Sequence, residues 1–197
     1  MSSPRRIVVG ISGSSGPIYG IRLLEAARAA LGIEVHLVLS DTARRTIVLE
    51  TEFTVSRVES LADVVHANHD MAAAISSGSF QTDGMVVAPC SMRSLSEIAH
   101  SATTQLITRA ADVHLKERRP LILIARETPL HLGHLRNMVA ATECGAIILP
   151  PVPAFYHRPR TVDDIVNQTV GKALDLLRIE HGLFRRWEGA SRLTAGE

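Results

Sequence analysis

Five apolar runs that never alternate with polar residues punctuate the chain: Ile7-Val8-Val9, Val35-His36-Leu37-Val38-Leu39, Met85-Val86-Val87-Ala88, Leu121-Ile122-Leu123-Ile124 and Ala146-Ile147-Ile148-Leu149. Runs of this kind are what strands buried on both faces require. Between them apolar positions recur with helical spacing over 18–31, 42–51, 95–100, 104–118 and 132–143, and again over 162–179 after the last run. Strand and helix in alternation predict an α/β fold, a flavodoxin-like or Rossmann-like parallel sheet with helices on both faces. Thr161 is placed to cap the last helix, with Asp163 and Asp164 in its first turn. The polar, small-residue stretch over 66–80 reads as a long loop or a short helix plus loop. A single domain over 1–190 is expected, with a fraying tail over 191–197. In an open sheet of this type ligands bind outside the carboxyl ends of the strands, so chemistry is sought there.

Composition narrows the classes. The 197 residues carry a net charge of only +1, so no overall field draws the chain to nucleic acid or to an acidic membrane surface. No apolar stretch reaches the roughly 20 residues of a membrane span, and the N-terminal arginines run straight into a strand, which predicts a cytoplasmic protein. Cys90 and Cys144 are expected to be reduced thiols.

After the first run comes Gly10-Ile11-Ser12-Gly13-Ser14-Ser15-Gly16, with Pro17 at the first helical position. Glycines let backbone approach a ligand, and a helix N-terminus favours an anion such as phosphate, with Ser12, Ser14 and Ser15 adding hydroxyls. The dinucleotide fingerprint is not met, because Ser12 and Ser15 stand where its second and third glycines belong, and a mononucleotide fits better. The same turn also serves as an ordinary capped helix start.

Other strand ends carry polar groups. Ser40 and Ser91 stand at helix starts as plain caps or as ligands, with Arg93 and Ser94 in the first turn after Ser91 and Glu50 near the end of the second helix. Arg109 and Lys116, seven residues apart, share a helix face that is either an anion clamp or a solvated surface paired through Asp112. Arg126 and Glu127 follow a strand directly and form a charged pair at its carboxyl end. Phe155 and Tyr156 ride on the proline-rich segment LPPVPAFYHRPR, which is stiff enough to wall a site or to lid the core. His131 with His134, and His66 with His69 and Asp70, lack a third ligand placed by the pattern, so no metal is expected.

Six ordered blocks carry a resemblance: VGISGSSGPIYGIRLL, SDTARRTIVLET, ISSGSF, APCSMRSLSEIAH, LITRAADVHLKERRPLILIARETPLHLGHLRNM and AIILPPVPAFYHRP. Together they resemble the flavin prenyltransferases of the UbiX type over about residues 7–187. The resemblance implies a homododecamer holding FMN where subunits meet. It also implies alkylation of reduced FMN by dimethylallyl monophosphate, giving prenylated FMN for a partner decarboxylase of the UbiD type. By motif, Gly13, Ser14, Ser15, Ser40, Ser91, Met92, Arg93, Ser94 and Arg126 would contact FMN, Lys116, Tyr156 and Lys172 would hold the allylic phosphate, and Ser15, Glu50, Arg109, Lys116 and Glu127 would stand near the reacting centre. Where that family commonly has arginine in the last helix this chain has Lys172, which keeps the charge and loses the bidentate fork.

The chemistry agrees with the resemblance. A reduced flavin brings its own nucleophile, so the protein places groups and stabilises charge, and no Ser-His-Asp arrangement is needed. Cations and hydroxyls would cover the departing phosphate, the flavin ring and an indole such as Trp187 would shelter an allylic cation, and Glu50 or Glu127 would take the released proton. Two rivals are an FMN carrier without chemistry of its own and a flavin-dependent cysteine decarboxylase. The latter needs a histidine in the second helix, which here reads ARRTIVLE.

Overall fold

The computed structural model describes residues 5–187 and Gly189, and the tail expected over 191–197 lies outside them. In chain order the elements are β1 Arg5–Ile11, α1 Pro17–Ala29, β2 Ile33–Leu39, α2 Asp41–Glu50, α3 Val55–Glu59, β3 Val64–Ala67, a 3₁₀ turn Ala74–Ser76, β4 Gly84–Cys90, α4 Met92–Ala99, α5 Leu106–Lys116, β5 Leu121–Ala125, α6 Leu132–Glu143, β6 Ile147–Ile148 and α7 Val162–Leu176. The strands form one parallel sheet in the order β3-β2-β1-β4-β5-β6. Without the edge strand β3, the remaining five run second, first, third, fourth, fifth, which is the flavodoxin-like order. The crossovers reverse direction between β1 and β4, so the crevice of the fold opens above those two strands.

Each expected apolar run lies within or across a strand, and β1, β2, β4 and β5 are buried along nearly their whole length. Two cores result. Ile21, Leu24, Ala43, Ile47, Val170 and Leu174 place α1, α2 and α7 on one face. Leu95, Ile98, Leu106, Ala110 and Ala141 place α4, α5 and α6 on the other. Burial of each such leucine, isoleucine or valine side chain contributes about 1.5–3 kcal/mol, which fixes the sheet as a rigid base for the loops above it.

Two glycines set the entry to α1. Gly16 caps the helix at φ 93°, a left-handed conformation that suits glycine. A Cβ on Gly20 would press on the Ala88 carbonyl and come within 2.7 Å of Ile11, so α1 lies against β1 and β4 with its N-terminus over the crevice.

The structure departs from the sequence reading at short elements. The 66–80 stretch begins as the end of β3 and then holds one 3₁₀ turn, and α3 was not anticipated. β3 is half-exposed and four residues long, so it lacks the continuous apolar run that marks the inner strands. Helix α4 starts at Met92, capped by Ser91, and α7 stops at Leu176. Thr161 caps α7 as expected, in a reciprocal box with Asp164.

Candidate functional site

The loop after β1 is tied down by its own hydroxyls. Ser12 Oγ donates to the Pro89 carbonyl at 2.9 Å and accepts from Ser91 N–H at 2.8 Å, which locks the loops above β1 and β4 to each other. Ser14 Oγ donates to the Arg126 carbonyl at 2.8 Å, reaching the end of β5. Ser15 Oγ donates to Glu50 Oε2 at 3.1 Å, and Gly16 N–H donates to the same oxygen at 2.8 Å. The carboxylate at the end of α2 therefore meets the N-terminus of α1, where the helix dipole favours negative charge. A Cβ on Gly13 would collide with the Thr42 side chain, so this glycine is demanded by packing of the loop on α2.

Ser40 and Ser91 both act as helix caps. Ser40 Oγ accepts from Ala43 N–H at 3.0 Å, and Ser91 Oγ accepts from Ser94 N–H at 3.2 Å while donating to Ser94 Oγ at 3.1 Å. Three helix N-termini, of α1, α2 and α4, thus start at the carboxyl edge of the sheet. Met92 packs against the core and Arg93 pairs with Glu97 at 2.9 Å along α4. Arg126 N–H donates to the Cys90 carbonyl at 3.2 Å, which fixes the start of the segment after β5.

A cavity of about 450 Å³ opens here, lined by Ser15, Gly16, Tyr19, residues 125–128 and residues 150–153. Arg126 and Glu127 form one wall and Pro150, Pro151 and Pro153 another. Tyr19 is a lining residue that the pattern did not single out. Burial pushes its phenol above the ordinary tyrosine range, and the nearby Arg126 charge pulls it partly back. Its signal in the sequence was its place in the first turn after Pro17, over the same crevice.

Arg109 and Lys116 stand elsewhere. They belong to α5, on the opposite face of the sheet from α1 and α2. Arg109 Nε donates to the Ser76 carbonyl at 3.1 Å and its Nη1 pairs with Asp112 at 3.0 Å. Lys116 ends α5, close to where β5 begins at the amino edge of the sheet, and pairs with Glu117. That contact with Lys116 holds the Glu117 carboxyl below its ordinary value.

Tyr156 and Lys172 form a third group. Tyr156 meets Trp187 edge to face with ring centroids 6.0 Å apart, and Lys172 Nζ lies 5.8 Å from the centre of the Phe184 ring. Phe155 is largely exposed on the proline-rich segment. Three of the histidines have other work: His36 bonds His66 at 2.9 Å and Glu34 at 2.8 Å, and His131 caps α6 through Gly133 N–H. Among the described residues no three His, Cys, Asp or Glu side chains gather to hold a metal, and no helix is long and apolar enough to cross a membrane. Both cysteines are free, and burial pushes the Cys90 thiol up to about 12.

The carboxyl edge of the sheet thus offers hydroxyl-capped helix starts and a guanidinium suited to an anionic group, an apolar wall suited to a flat ring, and two carboxylates able to accept N–H groups or protons. Comparisons with known proteins agree. Residues 1–174 match the Flavoprotein family model. The flavin prenyltransferase UbiX of Escherichia coli K12 is 60% identical over 94% of this chain and 100% of its own length. The crystal structure of AnUbiX (PadA1) in complex with FMN and dimethylallyl pyrophosphate superposes with a TM-score of 0.92 at 52% identity, covering 94% of this chain and 98% of that one. A dodecameric FMN-dependent UbiX-like decarboxylase from Escherichia coli O157:H7 gives a TM-score of 0.91 at 48% identity, covering 93% and 100%. At such identity over nearly the full length of both chains, this chain belongs to the UbiX flavin prenyltransferase family.

Proposed function

We propose that this chain joins the dimethylallyl group of dimethylallyl monophosphate to reduced FMN, at N5 and C6, and that the prenylated FMN passes to a UbiD-type decarboxylase. The observation that carries the reading is the Glu50 carboxylate fixed by Ser15 and Gly16 at the N-terminus of α1, over the crevice between β1 and β4.

The residues present fit FMN by the chemistry of their donors. Helix N-termini with Gly13, Ser14, Ser15, Ser40 and Ser91 to Ser94 suit its phosphate and polar ring edge, and Arg126 adds a cation. Reduced FMN, when bound, supplies the nucleophile. Lys116, Lys172 and Tyr156 hold the allylic phosphate and cover the charge that grows as it leaves with the electron pair of its C–O bond, with Arg109 adjoining them. Glu50, oriented by Ser15, or Glu127 takes the proton released when the second bond forms.

In this reading residues from different protomers meet, because α5 carries Arg109 and Lys116 on the other face of the sheet from Glu50. The dodecameric relative supports such an assembly. Free thiols and the absence of a membrane-crossing helix among the described residues support a cytoplasmic setting. The test is anaerobic incubation with reduced FMN and dimethylallyl monophosphate without added metal, followed by mass measurement of the extracted flavin. A mass higher by one dimethylallyl unit is expected, and tightly bound but unmodified FMN would overturn the proposal.

A further inference from the structure

After α7 the chain turns back and lies along the helix it has just left. His181 and Phe184 rest on Gly171, where an added Cβ would come within 2.7 Å of each of them. Leu183 packs against the core of that face. The fastening is a single carboxylate. Asp175 Oδ1 accepts from His181 Nε2 at 3.1 Å, and its two oxygens take both terminal nitrogens of Arg186, at 3.1 and 2.6 Å. Leu183 N–H donates to His181 Nδ1 at 3.3 Å, so Nδ1 is the acceptor and Nε2 carries the proton given to Asp175. The His181 side chain is only 3% exposed, so its orientation is set by packing as well as by these bonds.

This fastening decides what Lys172 and Tyr156 touch. Asp175 lies three residues beyond Lys172, on the same face of α7, where carboxylate and ammonium ordinarily pair. Arg186 and His181 take that carboxylate, and Lys172 faces the Phe184 ring, which Arg186 also approaches at 5.9 Å. An aromatic face attracts the ammonium without neutralising it, so the lysine keeps a full charge for an anion. Three residues after Phe184, Trp187 meets the Tyr156 ring.

We propose that Asp175 is a positioning residue for the allylic phosphate: by fastening residues 181–187 across α7 it holds Phe184 against Lys172 and Trp187 against Tyr156, and it leaves the Lys172 charge for substrate. The proposal deepens the function given above and rests on Lys172 and Tyr156 binding the phosphate. Trp187 is the sole tryptophan of the chain, so its fluorescence reports the segment directly.

The experiment compares wild type, Asp175→Asn, Asp175→Glu and Arg186→Lys, all loaded with FMN. In Asp175→Asn the KM for dimethylallyl monophosphate is expected to rise about tenfold, with kcat within about threefold and FMN affinity unchanged, and acrylamide quenching of Trp187 to increase. Asp175→Glu is expected to restore both readings most of the way. Greater quenching with an unchanged KM, or unchanged quenching, would overturn the proposal. Arg186→Lys, an exposed change, is judged by the same criteria and decides the matter if Asp175→Asn does not fold. Wild-type product is measured first: its absence would overturn the function given above, and the fastening would then be judged by Trp187 quenching and by titration with dimethylallyl monophosphate.

Discussion

Glu50 Oε2 lies 3.1 Å from Ser15 Oγ although 35 positions separate the two residues, and the hydroxyl donates to the carboxylate. Glu50→Gln keeps an oxygen for Ser15 and for Gly16 N–H and loses the ability to take a proton. FMN affinity is expected to stay within about threefold while turnover falls about 10²- to 10⁴-fold, the usual scale of a lost general base. Flavin titration and the rate of prenylated product check this. A rate within a few-fold of wild type would remove Glu50 from proton transfer.

Ser12 acts through the scaffold. Its hydroxyl satisfies the Pro89 carbonyl and Ser91 N–H at a position only 1% exposed. Ser12→Ala leaves Ser91 N–H without its partner and the Pro89 carbonyl with only the backbone N–H of residue 12 at 3.2 Å, at a cost of about 1–3 kcal/mol for the unpaired group. A lower Tm and weaker FMN binding are expected together, because the same bridge holds the two loops over the crevice. An unchanged Tm would show that water replaces the hydroxyl.

Lys172→Arg restores the bidentate fork and gives the Phe184 ring a planar cation to stack on. An equal or lower KM for dimethylallyl monophosphate is expected in steady-state assays. A severalfold rise would contradict the view that lysine here weakens phosphate binding.

His114 gives stability a pH dependence. Burial, with a smaller push from Arg119, lowers its pKa to about 4, from an ordinary value of 6.5, against hydrogen bonds that favour the charged form. Its Nδ1–H donates to the Ala110 carbonyl at 2.7 Å, so Nε2 accepts from the Thr82 hydroxyl at 2.9 Å and the ring is neutral. Between those two values the unfolded chain binds the proton and the folded chain does not. Stability from this site is therefore full above pH 6.5 and declines as pH falls toward 4, by up to about 3 kcal/mol. Denaturant midpoints of wild type and His114→Gln across this range test it. The variant is expected to show a flatter decline, and identical slopes would exclude His114 as the source.

How much of this was legible in the chain depends on how local each signal is. The inner strands announce themselves because burial on both faces demands unbroken apolar runs. β3 escapes because an edge strand with exposed Val65 and a His36–His66 contact has no such run. The crevice was legible through glycine, serine and proline at one strand end, yet the spacing did not say that Ser12 and Ser14 spend their hydroxyl protons on Pro89 and Arg126. Ion pairing was legible only where it is local. The three-residue spacing of Arg109 and Asp112 allowed the pair that forms, Lys116 takes its neighbour Glu117, and nothing in the spacing of Asp175 pointed to His181 and Arg186 beyond the helix end.

The division of α2 and α5 between opposite faces of the sheet has a genetic consequence. If a working centre draws Glu50 from one chain and Lys116 from a neighbour, a defect belongs to a centre and not to a chain. Two co-expressed variants, one altered at Glu50 and one at Lys116, would then reconstitute intact centres wherever the wild-type halves of each face one another. Mixed populations of individually silent chains would recover part of the turnover, in a proportion set by how subunits are shuffled during assembly.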